Sequence, residues 1–92
     1  MEFEWDPRKA AANVVKHKVS FEEAATVFGD PFGRIMSDPR HSLREERFAL
    51  LGLSQDRRLL AVMYADRAYS VRIISARRAT RRERKDYEEA TQ

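Results

Sequence analysis

The stretch RFALLGLSQDRRLLAVMYADRAYSVRIISA, residues 47–76, decides the fold of this chain. It contains three runs of strand length that are rich in apolar and β-branched residues. These runs are residues 47–53, 59–65 and 69–76. Because the connectors at 54–58 and 66–68 have hairpin length, the three strands are predicted to be antiparallel neighbours. Both faces of the first two strands are largely apolar, which predicts central strands covered on both sides.

The N-terminal segment predicts a short strand followed by a helix. Phe3 and Trp5 alternate with a polar residue, which is typical of a strand. Asp6 then provides a helix cap, and Pro7 suits the first helical position. The helix is expected to end at about His17 and to bury one stripe of small apolar side chains. That stripe consists of Ala11, Val14 and Val15.

Two capping boxes mark two further helices. Ser20 with Glu23 opens a helix whose apolar residues recur at helical spacing, and Gly29 and the following Asp-Pro end it. The apolar face comprises Phe21, Ala24, Ala25 and Phe28. Thr80 with Glu83 opens a polar C-terminal helix, expected to be peripheral or docked on a partner. Residues 34–37 predict an edge strand, and 38–45 a polar loop.

These elements predict an α+β fold in the order β-α-α-β-β-β-β-α, within a single domain spanning residues 1–92. The sheet is expected to be antiparallel, with the two N-terminal helices on one face.

Composition and charge restrict the functional classes. The chain has no cysteine, which excludes disulfides and thiolate metal sites. Its acidic N-terminus and strand-sized apolar runs predict a soluble, cytoplasmic protein with no membrane partner. Residues 66–92 hold eight Lys or Arg against five Asp or Glu, and Lys85 is the only lysine among the eight. This arginine-rich segment fits a polyanionic partner, either nucleic acid or an acidic protein segment. The alternative, which composition alone favours, is a solvated charged surface.

The chain resembles the BrnT toxins in several segments. The matching residues are 3–7, Asn13, 16–17, 19–24, 28–31, 46–48, Gly52, 72–80, 83–84 and 87–88. Lys18 departs from the pattern, because many relatives have glycine there to close the first helix. If this position needs a left-handed backbone, lysine is slightly costly.

This resemblance implies a ribonuclease toxin with a fold similar to the RelE group. It also implies a BrnA-like antitoxin with a ribbon-helix-helix DNA-binding element. The two proteins would form a hetero-oligomer that binds operator DNA and represses its own operon.

RNA cleavage without a metal or other cofactor requires a base for the 2′-hydroxyl, donors for the phosphate and an acid for the leaving oxygen. His17 and His41 are the only histidines, and no ligand cluster for a metal is recognisable. His17 is a candidate catalytic group or a helix-capping imidazole, and Lys16 beside it is a candidate substrate ligand. His41 fits a solvated loop residue better.

Arg47 and Arg72 each interrupt an apolar strand. A guanidinium on a half-buried sheet face requires an anion. The functional interpretation is a clamp on the scissile phosphate, and the structural alternative is an internal salt bridge with Glu45 or Glu46.

Three more residues are candidates for the site. Arg77, as a catalytic residue, and Arg78, as a substrate ligand, are expected to follow the last strand and to contact phosphate near a helix N-terminus. Their alternative is an exposed charged face paired with nearby carboxylates such as Glu83. Tyr64 either stacks on a base or packs in the core.

Two competing functions remain open. The first is a non-catalytic nucleic-acid-binding module, and the second is a protein-interaction module with a basic face.

Overall fold

The computed structural model describes residues 1–37 and 47–91. The elements in chain order are β1 (Glu2–Glu4), α1 (Pro7–His17), α2 (Phe21–Thr26), a 3₁₀ turn (Val27–Gly29), β2 (Arg34–Ser37), β3 (Arg47–Leu53), β4 (Leu59–Asp66), β5 (Ser70–Arg78) and α3 (Arg81–Ala90). This confirms the predicted α+β class and the predicted order of helices and strands. The loop predicted at 38–45 lies outside the described residues, as do His41, Glu45 and Glu46.

The sheet is mixed rather than antiparallel. Its strand order is β1-β5-β4-β3-β2. The pairs β2–β3, β3–β4 and β4–β5 are antiparallel, as predicted. However, β1 pairs with β5 in parallel, with Phe3 opposite Val71. The helices α1 and α2 form a crossover after β1, so β1 pairs with a strand that is distant in the sequence. The prediction was wrong on this point because no local pattern specifies that partner.

The last strand is longer than predicted. β5 extends to Arg78, so Arg77 and Arg78 lie within the strand instead of following it. Leu60 pairs with Arg78 and Ala61 pairs with Arg77. The predicted end at residue 76 was wrong because the arginines lack apolar character, although backbone pairing with β4 keeps them extended.

Apolar cores form on both sides of the sheet, as the two-sided pattern of β3 and β4 predicts. The larger core lies under α1 and α2 and includes Leu50, Val62 and Ile73. The smaller core lies under α3, where Tyr87 packs with a few residues of β3 and β4. These residues are Leu51, Leu59 and Ala61. The two sides are called the α1/α2 face and the α3 face.

Helix α1 starts and ends as predicted, but it buries a different side. The Asp6 carboxylate accepts a hydrogen bond of 2.8 Å from the Arg8 amide, and Lys18 adopts the left-handed conformation, with φ 59°. The predicted stripe is wrong, because Val14 is 44% exposed and Val15 is 74% exposed. Ala11 is exposed as well.

Asn13 is the residue that α1 buries instead. Its side-chain amide donates to the Val19 and Ala76 carbonyls, and its oxygen accepts from the Ala76 amide at 3.1 Å. These bonds join α1 to β5 through a polar side chain that a hydrophobic pattern does not detect.

Helix α2 has half of the predicted capping box. The Ser20 hydroxyl accepts from the Glu23 amide at 3.0 Å. The Glu23 carboxylate does not return to Ser20 but binds Arg58, and it accepts a bond of 2.7 Å from the Ser54 hydroxyl. Arg58 also donates to the Lys18 carbonyl. The buried carboxylate therefore ties the α1–α2 turn to the β3–β4 hairpin.

Helix α3 has the complete predicted capping box between Thr80 and Glu83. Tyr87 anchors it on the sheet, and the Arg34 guanidinium donates to the Asp86 carbonyl at 3.1 Å. None of the helices within the described ranges is long and apolar enough to cross a membrane.

Candidate nucleic-acid site

Four residues form one row across the α3 face. Arg47 pairs with Ala65 of β4, Ala65 pairs with Arg72 of β5, and Arg72 pairs with Glu4 of β1. We call these four residues the arginine row. They share a face because their strand neighbours, such as Phe48 and Ile73, pack into the opposite core.

Two strand spacings, about 10 Å, separate the backbones of Arg47 and Arg72. Alanine lies between them, so no large side chain at Ala65 fills the space above the sheet. Two long guanidinium side chains flank this alanine, which is itself buried with 1% of its surface exposed, and together they offer the donors that a phosphate group needs. The geometry brings these two predicted residues together.

Arg47 carries an unsatisfied donor. Its Nε atom is buried and has no hydrogen-bond partner among the residues that the structure describes. A buried donor without an acceptor costs about 1–3 kcal/mol, so native structures rarely keep one without a reason. The arrangement is chemically suited to receiving an anion.

Arg72 has a weak partner that the sequence did not indicate. Its Nη1 atom lies 3.6 Å from Glu4 Oε1, and Arg67 Nε lies 3.5 Å from the same oxygen. The side chains of Arg72 and Glu4 are 34% and 42% exposed, so water and solutes reach the pair. The cross-strand position of Glu4 follows from the parallel β1–β5 pairing, which no local sequence signal predicts.

Arg77 lies on the same face but is already neutralised. Its guanidinium binds the Glu83 carboxylate in a two-pronged geometry, with distances of 2.8 and 3.0 Å. The bond from Arg77 lowers the pKa of Glu83, while burial opposes this change. The structure therefore favours the salt-bridge alternative over a free phosphate ligand at Arg77.

The other predicted cations lie on the α1/α2 face. His17 is the last residue of α1, and Lys16 beside it is exposed. Arg78 alternates to this face, and its charge helps to lower the pKa of Glu23 after the larger effect of the bond from Arg58. The sheet thus separates Lys16, His17 and Arg78 from the arginine row.

Tyr64 is a core residue. It is 6% exposed, and its ring contacts Phe28 at 5.0 Å and Phe48 at 5.6 Å between centroids. Burial raises the pKa of its hydroxyl, and the charge of Asp66 adds to the shift. This placement favours the packing alternative and leaves no free ring face for a base.

Asp30 helps to hold α3 against the sheet. Its Oδ2 atom accepts from the Leu53 amide at 2.8 Å and from the Tyr87 hydroxyl at 2.6 Å. Burial raises the pKa of Asp30, but these bonds and one from the Phe32 amide outweigh it, so the pKa is lowered. Fixed in this way, α3 covers the end of the sheet that holds Arg77.

The described part of the chain contains no group of three or more His, Asp or Glu side chains that could hold a metal ion. The arginines of the α3 face suit binding of a phosphate through hydrogen bonds.

Residues 5–83 match the family described as "Ribonuclease toxin, BrnT, of type II toxin-antitoxin system". The crystal structure of the Brucella abortus ribonuclease toxin BrnT is similar to this chain, with a TM-score of 0.68 and 19% identity. The similarity covers 88% of this chain and 99% of that one. No curated protein matches the sequence.

Proposed function

The chain belongs to the BrnT family of ribonuclease toxins of type II toxin–antitoxin systems, and we propose that it is an endoribonuclease that acts without a metal ion. The observation that supports this site most strongly is Arg47, whose buried Nε donor has no acceptor among the described residues. A phosphate bound between Arg47 and Arg72 would supply that acceptor. Its negative charge would also compensate two cations on one sheet face.

In the proposed reaction, the two arginines hold the non-bridging oxygens of the scissile phosphate. The 2′-hydroxyl of the preceding nucleotide attacks the phosphorus, and the bond to the 5′-oxygen breaks. The products are a 2′,3′-cyclic phosphate and a 5′-hydroxyl end. Negative charge grows on the phosphate oxygens as the bond forms, so donors fixed around them stabilise the transition state more than the ground state.

The same chemistry supports the proposal of metal independence. Arginine supplies the positive charge that Mg²⁺ supplies in other nucleases, and it holds the phosphate oxygens by directed hydrogen bonds instead of metal coordination. The proposal places the chemistry at Arg47 and Arg72. It does not include His17, which the sheet separates from them, or Arg77, whose guanidinium is bound to Glu83.

The test is cleavage of total RNA by the purified protein in EDTA, with analysis of the product ends. Arg72→Ala should lower the cleavage rate by about 10²–10³-fold, because one transition-state donor is lost. Arg72→Lys should restore little, since lysine keeps the charge but loses the two-pronged geometry. The folding cost of Arg72→Ala should stay below about 1 kcal/mol because its bridge to Glu4 is partly exposed.

Arg8→Ala is the matched control. Arg8 is an exposed residue of α1, on the other side of the sheet, and its removal costs the same unit of charge. Equal activity losses in both variants would indicate general attraction to a polyanion instead of a phosphate clamp. Binding of RNA without any cleavage would favour the non-catalytic module. Activity that disappears in EDTA and returns with magnesium would refute the metal-free mechanism.

The partner part of the proposal is a BrnA-like antitoxin with a ribbon-helix-helix element, which neutralises the toxin in a hetero-oligomer that binds operator DNA. Uninhibited toxin would stop translation by cleaving RNA in the cytoplasm. Family membership implies an antitoxin, and the basic C-terminal segment suits an acidic partner segment. Co-purification with the product of the adjacent gene, followed by a shift of operator DNA by the complex alone, tests this assignment.

A further inference from the structure

Glu4 is the ionisable residue of the arginine row that the clamp does not use. β1 places it directly opposite Arg72 in the parallel ladder, on the α3 face. Its neighbours Phe3 and Trp5 pack against the core on the other side. The carboxylate therefore lies at the end of the row, next to one of the two phosphate donors.

The contacts of Glu4 do not indicate a structural role. One carboxylate oxygen lies 3.5 Å from Arg67 Nε and 3.6 Å from Arg72 Nη1, and 42% of the side chain is exposed. Exposed ion pairs at such distances contribute about 0–1 kcal/mol to stability. Stability alone therefore gives little reason for a carboxylate beside a phosphate-binding arginine, where it competes with the substrate.

Other described candidates for a base lie elsewhere. His17 lies on the α1/α2 face. Asp66 pairs with Val71, which packs into the core of that same face, so its side chain alternates away from the row. Glu2 shares the strand and the face of Glu4, but it lies two residue pairs further along, opposite Ser70.

We propose that Glu4 is the general base that deprotonates the attacking 2′-hydroxyl, an assignment that rests on the proposed ribonuclease function. With the phosphate on Arg47 and Arg72, the adjoining ribose lies toward β1, within reach of a carboxylate that already contacts Arg72. Glu4 takes the proton as the 2′-oxygen bonds to phosphorus. The P–O5′ bond breaks, the 5′-oxygen takes a proton from water, and Glu4 returns its proton to solvent.

The alternative is that Glu4 occupies the arginine clamp until RNA displaces it. The two roles predict different kinetics for Glu4→Gln, which keeps the size of the side chain but cannot accept the proton. Loss of a general base lowers kcat by about 10²–10⁴-fold and leaves KM nearly unchanged. Loss of a competing anion lowers KM and leaves kcat unchanged.

The experiment measures kcat and KM of the full chain on a short oligoribonucleotide, for wild type, Glu4→Gln, Glu4→Asp and Glu2→Gln. Glu2→Gln removes the same charge from the same strand and face, and it should retain wild-type kcat. Glu4→Asp keeps a carboxylate and should recover part of the kcat that Glu4→Gln loses. Thermal melting confirms that each variant is folded.

A Glu4→Gln variant with wild-type kcat and a lower KM overturns the proposal. Equal kcat losses in Glu2→Gln and Glu4→Gln also overturn it, because they indicate a general effect of charge. Failure of the ribonuclease assignment is seen separately, as a wild-type protein that does not cleave RNA. If the wild type cleaves RNA and Glu4→Gln cleaves it with the same kcat, only the role of Glu4 is refuted.

Discussion

Arg47→Met should inactivate the enzyme and leave the fold equally or more stable. Methionine retains an unbranched, flexible stem of similar length, so the packing that the arginine stem makes in β3 is largely kept. The substitution removes the buried Nε donor, which has no acceptor in the part of the chain that the structure describes. It also removes a positive charge from a half-buried sheet face.

The expected magnitude follows from that donor. An unsatisfied buried donor costs about 1–3 kcal/mol, and loss of some packing offsets part of the gain. The free energy of unfolding should therefore rise by between 0 and about 2 kcal/mol. In a chain of this size, each kcal/mol corresponds to about 4–8 °C in Tm. The cleavage rate should fall by about 10²–10³-fold, as expected for a lost transition-state donor.

The assay combines thermal or urea unfolding with the rate of RNA cleavage in EDTA. A stable but inactive variant is typical of a residue that is maintained for function at some expense of stability. A variant whose Tm falls by ten degrees or more, while its rate per folded molecule stays normal, would refute the reasoning. Arg47 would then be a structural residue, and the donor would have a role in the fold.

Two further predictions concern the ionised groups that hold the elements in place. Burial and the bond to the Asp30 carboxylate raise the pKa of Tyr87 to about 12. The stabilisation from Tyr87 should thus be complete below pH 10 and should decline as the pH rises toward 12. Tyr87→Phe should remove this decline. Near neutrality it should lower the free energy of unfolding by about 2 kcal/mol, measured by urea unfolding. The bond from Arg58 lowers the pKa of Glu23 although burial opposes it, so this pair stabilises the fold above the ordinary glutamate pKa and loses the effect as the pH falls through the lowered value. Glu23→Gln should cost about 3 kcal/mol at pH 7, and its difference from wild type should shrink in acid unfolding curves; an equal difference at both pH values would contradict the assignment.

Local chemistry accounts for the parts of the fold that the sequence predicted. The caps at Asp6 and Thr80 are short-range arrangements in which one side chain satisfies nearby amides. The hairpins joining β3, β4 and β5 are similarly local, because connector length determines the pairing. Lys18 shows that even a departure from the glycine pattern does not change the backbone, which remains left-handed at this position.

The features that the sequence did not predict are interactions between distant segments of the chain. Asn13 reaches Ala76 across 63 positions of sequence, and its polar side chain gives no hydrophobic signal for the buried side of α1. Glu23 satisfies a capping pattern with Ser20, yet a stronger partner, Arg58, takes its carboxylate. A local sequence pattern cannot show which of these competing contacts is stronger. Their interaction energies depend on burial, and only the assembled fold creates that burial.

The candidate site was predicted in part for the same reason. Two arginines inside apolar strands are visible in the sequence, because a charge at such a position requires an explanation. Their alignment across β4 depends on the register of Arg47 and Arg72 with Ala65, which the hairpin lengths only approximate. The role that we propose for Glu4 depends on the parallel pairing of β1, which was not predicted.

The position of α3 explains why arginines of one strand and one face differ in chemistry. Tyr87 and Asp30 hold the helix over the end of the sheet that contains Arg77, and there Glu83 occupies both prongs of the guanidinium. At the other end of β5, the helix is absent and Arg72 meets only a partly exposed carboxylate at 3.6 Å among the described residues. A bound phosphate must break a two-pronged, partly buried pair to reach Arg77, but only a solvent-screened contact to reach Arg72. The docking of one polar helix therefore determines which arginines of the α3 face remain available to RNA.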